Sequence, residues 1–155
     1  MQAIVDESRK WVGTRFHHQG RVRKTTYSTG GCDCLGLLVG VAGALKLRSR
    51  QEGVLLASLD ELHYGRIPDG KRLRQMLESH LLLLENEEAQ PGDIALFRLD
   101  RNTQHVGILS DYSVGGLGVI HAYAPMQSVV EHRLDETWKE KIAGVFRVAE
   151  VDQKL

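Results

Sequence analysis

Residues 28–38, STGGCDCLGLL, place the only two cysteines of the 155-residue chain on either side of an aspartate, where a glycine-rich turn runs into an apolar segment. From Asp33 to Arg48 nearly all residues are small or aliphatic. This composition predicts a helix that is apolar all round and therefore buried. Aspartate is a favoured N-cap residue, so we expect Asp33 to begin the helix and Cys34 to lie in its first turn.

The two thiols allow three interpretations. A disulfide across a single intervening residue would be strained. A zinc site needs about four ligands, and the sequence has no second pair like Cys32 and Cys34, although His17 and His18 are candidate ligands. The third interpretation is one reactive thiol with a bystander, or two inert thiols. A helix N-terminus favours a thiolate, so we expect a lowered pKa for Cys34 and none for Cys32, which lies outside the helix.

The first half of the chain has segments with the residue spacing typical of helices. Residues 2–12 have apolar side chains at helical spacing and predict a short first helix that stops at Gly13. Residues 14–31 have no regular pattern and predict a long ordered loop, and loops of this length inside a compact domain are usually functional. The run DGKRLRQMLESHLLLL predicts a further helix that begins near Asp69.

The second half of the chain alternates in the manner of strands. Turn residues separate five short β-rich runs, which are IALFRL (94–99), HVGILS (105–110), GVIHAYA (118–124), SVVEHRL (128–134) and GVFRV (144–148). Helices followed by a meander of strands indicate an α+β fold, with N-terminal helices packed on an antiparallel sheet of about five strands. We expect a single domain over residues 1–155, because 155 residues fit one core.

The overall charge is balanced. Lys and Arg number 20 and Asp and Glu number 20, which argues against non-specific nucleic-acid binding. The chain has no apolar run of bilayer-spanning length, and its first residues have no signal-peptide pattern. We therefore expect no membrane insertion, and synthesis in the cytoplasm without a signal peptide.

One stretch departs from this balance. Between Glu7 and Asp33 there is no acidic residue, and the basic residues are Arg9, Lys10, Arg15, Arg21, Arg23 and Lys24. Such a stretch is either a solvated surface or one border of a groove that attracts a ligand with carboxylates.

Seven histidines are available to act with a cysteine, and two stand out by position. His105 opens one predicted strand and His121 lies inside the next one. If these strands pair, the two imidazoles can approach, one as a general base and the other as the group that orients it. The alternative is a buried structural His121 and a turn residue at His105. His80 and His132 are interpreted as structural or solvated.

Several of these segments, in this order, resemble the NlpC/P60 cysteine peptidase family. They are CDCLGL, QPGDIALFRL, QHVGIL, VIHAYA, VVEHRL and IAGVFRV. The opening WVGTRFHHQGR is also similar to the phage-type cell wall peptidases found with tail genes of phages and gene transfer agents. The resemblance runs from about residue 3 to residue 148.

This resemblance implies a papain-like fold and a catalytic site. It implies that Cys34 is the nucleophile, His105 the general base, and His121 the residue that orients the base. The family uses a tyrosine upstream of the nucleophile, for which Tyr27 is the only candidate. With the basic residues of the loop, the expected substrate-binding residues are Tyr27, Asp33, Arg21 and Arg23.

The resemblance further implies a cysteine endopeptidase that hydrolyses amide bonds in peptidoglycan stem peptides, most often between D-glutamate and a diamino acid. No cofactor or metal is expected. Phage tail proteins are expected partners, and a virion tail is the expected location. Three alternatives stay open: an amidase or transpeptidase of the same fold, a non-catalytic tail structural or assembly module, and a metal-binding module built on the cysteines and histidines.

Overall fold

An antiparallel sheet of six strands is the largest element of the structure, a computed structural model that describes residues 1–51, 53–60, 70–101 and 104–149. The helices are α1 (Gln2–Arg9), α2 (Cys34–Leu45), α3 (Gly70–His80) and α4 (Glu136–Glu140). The strands are β1 (Arg21–Val22), β2 (Gly31–Cys32), β3 (Leu82–Leu83), β4 (Ile94–Arg98), β5 (Gln104–Asp111), β6 (Leu117–Tyr123), β7 (Ser128–Arg133) and β8 (Ile142–Arg147). The order in the large sheet is β3-β8-β4-β5-β6-β7, and β1 pairs separately with β2.

The two faces of the large sheet bury different sets of side chains, because successive residues of a strand point to opposite faces. On one face Val106, Ile108 and Ile120 join the core formed with α1 and α2. On the other face Phe97 and Val119 join a smaller cluster that the segment around α4 covers. Helix α2 thus lies against the first face and α4 against the second.

The predicted α+β fold is confirmed, and each of the five predicted β-rich runs contains a strand. The predicted strand number was one too low. Leu82 and Leu83, assigned from the sequence to a helix, pair instead with Arg147 and Phe146 of β8. Helix α3 ends before them at His80, and its predicted start at Asp69 lies outside the described residues.

Two other boundaries refine the predictions. Helix α2 ends at Leu45, earlier than the predicted end at Arg48, because Lys46 adopts a left-handed conformation with φ of 54°. The predicted loop over residues 14–31 contains β1, and its end forms β2, with Arg21 opposite Cys32. This short ribbon holds the loop beside the start of α2. Among the described residues, no helix has the length and apolar character needed to cross a membrane.

Candidate active site

Cys34 is the first residue of α2, as predicted, and Asp33 is its N-cap. The Asp33 backbone is extended, and one carboxylate oxygen, Oδ1, accepts a hydrogen bond of 2.8 Å from the backbone N–H of Gly36. The other oxygen, Oδ2, accepts one of 2.8 Å from the backbone N–H of Gln19. A single carboxylate therefore starts the helix and ties the preceding loop to it.

The Cys34 thiol is buried, with 8 % of the residue exposed. Burial is the largest influence on its acidity and raises its pKa to about 11. Interactions with the backbone N–H groups of Val106, Leu35 and Cys34 itself lower the pKa, but by less. The expected lowering of the Cys34 pKa was therefore wrong: the helix N-terminus acts in the expected direction, and loss of water around the sulfur outweighs it. The resting thiol is neutral at pH 7.

His105 and His121 meet as predicted from their strands. Nε2 of His105 lies 2.7 Å from Nδ1 of His121, within hydrogen-bond distance. Both side chains are buried, with 6 % of His105 and none of His121 exposed. Burial lowers the pKa of His105 to about 4. Burial, followed by the neighbouring imidazoles, lowers the pKa of His121 to about 2. Both rings are neutral at pH 7.

The Cys34 thiol is connected to the imidazole pair through the backbone at the start of β5. The Cys34 thiol interacts with the backbone N–H of Val106, the residue directly after His105. Val106 packs in the core with α2, whereas His105 lies over Phe97, with ring centroids 6.1 Å apart. No hydrogen bond joins Cys34 to His105 within the described parts of the chain. Hydrogen bonds of catalytic groups are often long before substrate binds, so this geometry is compatible with a Cys–His pair.

A third histidine, His132, extends the pair and was missed from the sequence. Nε2 of His121 lies 2.8 Å from Nε2 of His132, and Nδ1 of His132 lies 2.8 Å from the carbonyl oxygen of Arg133. The sequence contains a signal for this, since His132 lies two residues after Val130 in β7 and so projects from the same face. Val130 is the register partner of His121, and finding the signal requires that register.

Aromatic side chains surround these histidines. The Trp138 indole packs edge-on against His121 and Tyr123, with centroids 4.9 and 5.3 Å apart, and lies 5.4 Å from the His132 ring. Tyr123 stacks on His121 at 5.1 Å. Trp138 is positioned by α4, where the Asp135 side chain accepts a hydrogen bond from the Trp138 backbone N–H. These rings exclude water from the histidine pair, which accounts for the lowered pKa values.

The residues expected to bind substrate lie in different surroundings. Arg21 forms ion pairs with Asp33 at 3.1 Å and Asp60 at 3.0 Å. Arg23 lies 3.7 Å from Glu7. Tyr27 is 97 % exposed. Arg21 and Asp33 thus have structural partners that link the loop to α2, and the binding of substrate by these four residues stays a prediction.

Cys32 lies in β2 and is fully buried. Burial, followed by the charge of Asp33, raises its pKa to about 12, so its thiol is also neutral at pH 7. Neither cysteine is in a disulfide. Across the described ranges, no group of three or more His, Cys, Asp or Glu side chains is arranged to hold a metal ion.

Solved structures with the same fold include NlpC/P60 proteins. An NlpC/P60 family protein from Bacillus cereus ATCC 10987 is 19 % identical with a TM-score of 0.61, over 96 % of this chain and 40 % of that chain. The NlpC/p60 domain of the peptidoglycan hydrolase SagA is 21 % identical with a TM-score of 0.57, over 94 % of this chain and 96 % of that chain. NlpC1 from Trichomonas vaginalis is 17 % identical with a TM-score of 0.59, over 94 % of this chain and 42 % of that chain. No protein-family model and no curated protein matches the sequence.

These likenesses concern the fold. The chain spans less than half of the Bacillus cereus and Trichomonas vaginalis proteins and nearly all of the SagA domain. The predicted NlpC/P60 type of fold is thereby confirmed.

Proposed function

We propose that this protein is a cysteine-type cell wall hydrolase that cleaves amide bonds in peptidoglycan peptides. The observation that carries the proposal is the placement of a buried cysteine at a helix N-terminus, beside the backbone N–H of Val106, the residue directly after His105, with His105 within hydrogen-bond distance of His121 at 2.7 Å. A nucleophile, a base and a group that orients the base are the parts that acyl transfer needs. The fold shared with the SagA peptidoglycan hydrolase domain supports the substrate class.

The reaction begins from neutral groups. As the Cys34 sulfur attacks the substrate carbonyl carbon, the S–H proton passes to Nδ1 of His105, the ring nitrogen that does not face His121. The C–S bond forms, and the carbonyl oxygen becomes an oxyanion. The backbone N–H of Cys34, at the start of α2, is a suitable donor to that oxygen. His105 then gives the proton to the leaving amine, and the C–N bond breaks to leave a thioester.

Water completes the cycle. His105 takes a proton from the water molecule as its oxygen attacks the thioester carbon, and the C–S bond breaks. The thiolate recovers a proton from His105, and the carboxylic acid product leaves. His121 holds the His105 ring in one orientation through both steps, as the third member of a triad does.

The test uses purified peptidoglycan and muropeptides, with the products weighed by mass spectrometry. We expect hydrolysis by the wild type, none above background by Cys34→Ala, and near wild-type rates for Cys32→Ala, the matched control. A Cys34→Ala protein that still cleaves would refute the assignment of the nucleophile. A wild-type protein that cleaves no peptidoglycan amide would leave the non-catalytic tail module as the better explanation.

The same products distinguish the finer alternatives. Our proposal for the bond is the one between D-glutamate and the diamino acid, which rests on the resemblance of the sequence segments to the NlpC/P60 peptidases. An amidase would instead release the whole stem peptide from the sugar, and a transpeptidase would join two peptides without adding water. The phage-type branch and a location in a virion tail are part of the same proposal. Co-purification with tail particles tests them.

A further inference from the structure

The three histidines form a hydrogen-bonded chain that ends on a group with no proton to give. Nδ1 of His132 lies 2.8 Å from the carbonyl oxygen of Arg133, and a carbonyl oxygen only accepts hydrogen bonds. His132 must therefore carry a proton on Nδ1. In neutral His132 the other nitrogen, Nε2, then has a lone pair and accepts.

The protonation of His132 fixes which nitrogen donates at each of the other two rings. Because Nε2 of His132 accepts, Nε2 of His121 must donate across the 2.8 Å contact. A neutral His121 with its proton on Nε2 has a lone pair on Nδ1, so Nε2 of His105 donates across the 2.7 Å contact. His105 is then left with a lone pair on Nδ1. That is the nitrogen on which the proposed base must receive the thiol proton.

Packing around the three histidine rings stabilises their hydrogen bonds. His121 is fully buried, and Trp138 packs against the rings of His121 and His132 at centroid distances of 4.9 and 5.4 Å. At the buried His105 and His121, water is excluded, so hydrogen bonds are stronger and an unpaired ring nitrogen is costly. A tautomer change at one ring would place two donors or two acceptors face to face, and the Arg133 carbonyl holds the proton of His132 on Nδ1, so the donor–acceptor order of all three rings is fixed.

We propose that His132 is a positioning residue, which sets the tautomer of His105 through His121 by anchoring the imidazole chain on the Arg133 carbonyl. The inference rests on the proposed function for its catalytic consequence. It deepens that function by adding a member that touches neither the substrate nor the thiol. The tautomer itself can be measured without any substrate.

The test replaces His132 by side chains of opposite hydrogen-bonding character. In His132→Glu the carboxylate only accepts, so it preserves the polarity of the chain. In His132→Lys the ammonium only donates, so Nε2 of His121 must accept and the proton of His121 moves to Nδ1. Nδ1 of His121 then donates to Nε2 of His105. The proton of His105 must therefore lie on its Nδ1. The matched controls are His80→Glu and His80→Lys, since His80, the last residue of α3, contacts Ser49 and is outside the imidazole chain.

The primary readout is the ¹⁵N–¹H correlation spectrum of the histidine rings, which distinguishes Nε2–H from Nδ1–H tautomers. We expect His105 as the Nε2–H tautomer in the wild type, in His132→Glu and in both controls, and as the Nδ1–H tautomer in His132→Lys. The second readout is kcat/KM on muropeptides. We expect His132→Lys to fall at least about 100-fold below His132→Glu, the low end of what general acid–base catalysis contributes.

Two results would overturn the inference. One is an Nδ1–H tautomer of His105 in the wild type, a measurement that needs no variant to fold. The other is the same His105 tautomer in His132→Glu and His132→Lys, as a merely structural role of His132 would give. If the tautomers change as expected while the wild type cleaves no peptidoglycan, the anchoring role stands and the proposed function fails.

Discussion

Replacement of Asp33 by alanine removes several interactions made by one carboxylate. They include the cap to the Gly36 N–H at 2.8 Å, the hydrogen bond from the Gln19 N–H at 2.8 Å, and the ion pair with Arg21 at 3.1 Å. Loss of an N-cap costs about 1 kcal/mol. A neutral hydrogen bond contributes a similar amount, and one to a charged group contributes about 1.5–3 kcal/mol. Since water can replace part of this at the loop, we expect a loss of about 3 kcal/mol in the free energy of unfolding.

For a chain of this size that loss lowers Tm by about 6–12 °C. The assay is urea unfolding followed by circular dichroism, with calorimetry for Tm. Asp135→Ala is the matched control, because Asp135 also caps a helix through one hydrogen bond, at 3.0 Å to the Trp138 N–H. We expect about 1 kcal/mol for that control. A loss in Asp33→Ala no larger than in Asp135→Ala would refute the reasoning that the Asp33 carboxylate stabilises the loop as well as the helix start.

Three further predictions concern the site. We expect His105→Ala to lower kcat by about 100- to 10,000-fold, as for loss of a general base. We expect His121→Ala to retain more activity, because His121 orients the base and does not itself move the proton. Equal losses in steady-state assays would contradict this. The pKa of His105 falls from 6.5 to about 4 on folding, so its contribution to stability is present above pH 6.5 and is lost as the pH falls toward 4. The pKa of Cys34 rises from 9.0 to about 11, so its contribution is present below pH 9 and is lost as the pH rises toward 11. Urea unfolding across this range should therefore show a shallower acid slope in His105→Gln and a shallower alkaline slope in Cys34→Ala; unchanged slopes would contradict the burial of neutral groups. Finally, the basic loop residues Arg21, Arg23 and Lys24 can be neutralised together. We expect a higher KM for anionic muropeptides, a weaker dependence of KM on salt, and a nearly unchanged kcat. A wild-type KM would instead assign these residues a structural role alone.

The elements that the sequence predicted correctly depend on neighbours along the chain. An aspartate before an apolar run predicted the start of α2 at Cys34, because the cap is a contact between Asp33 and Gly36. Alternating side chains predicted β4 to β8 for the same reason. The exception is β3, since Leu82 and Leu83 continue an apolar helical run and become a strand only through pairing with Phe146 and Arg147.

The histidines of the site also differ in whether the sequence alone could predict them. Cys34, His105 and His121 were predicted as site residues from their positions at the start of a helix and in successive strands, and the structure brings the two imidazoles into contact. His132 was not identified, because its position beside His121 depends on the register between β6 and β7. A strand's period shows which residues share a face, but not which residue of the next strand lies opposite.

The sequence by itself determined the helix that presents Cys34, the alternation of the sheet, and the presence of a thiol with two candidate imidazoles. Each of these rests on residues close together in the chain, through caps, periodicity and turns. Only the tertiary structure decided that the thiol pKa rises rather than falls, that three histidines form one hydrogen-bonded chain, and that Arg21 is bound to Asp33 and Asp60. The physical reason is that desolvation and ion pairing depend on atoms from distant segments, which meet only when the core has formed.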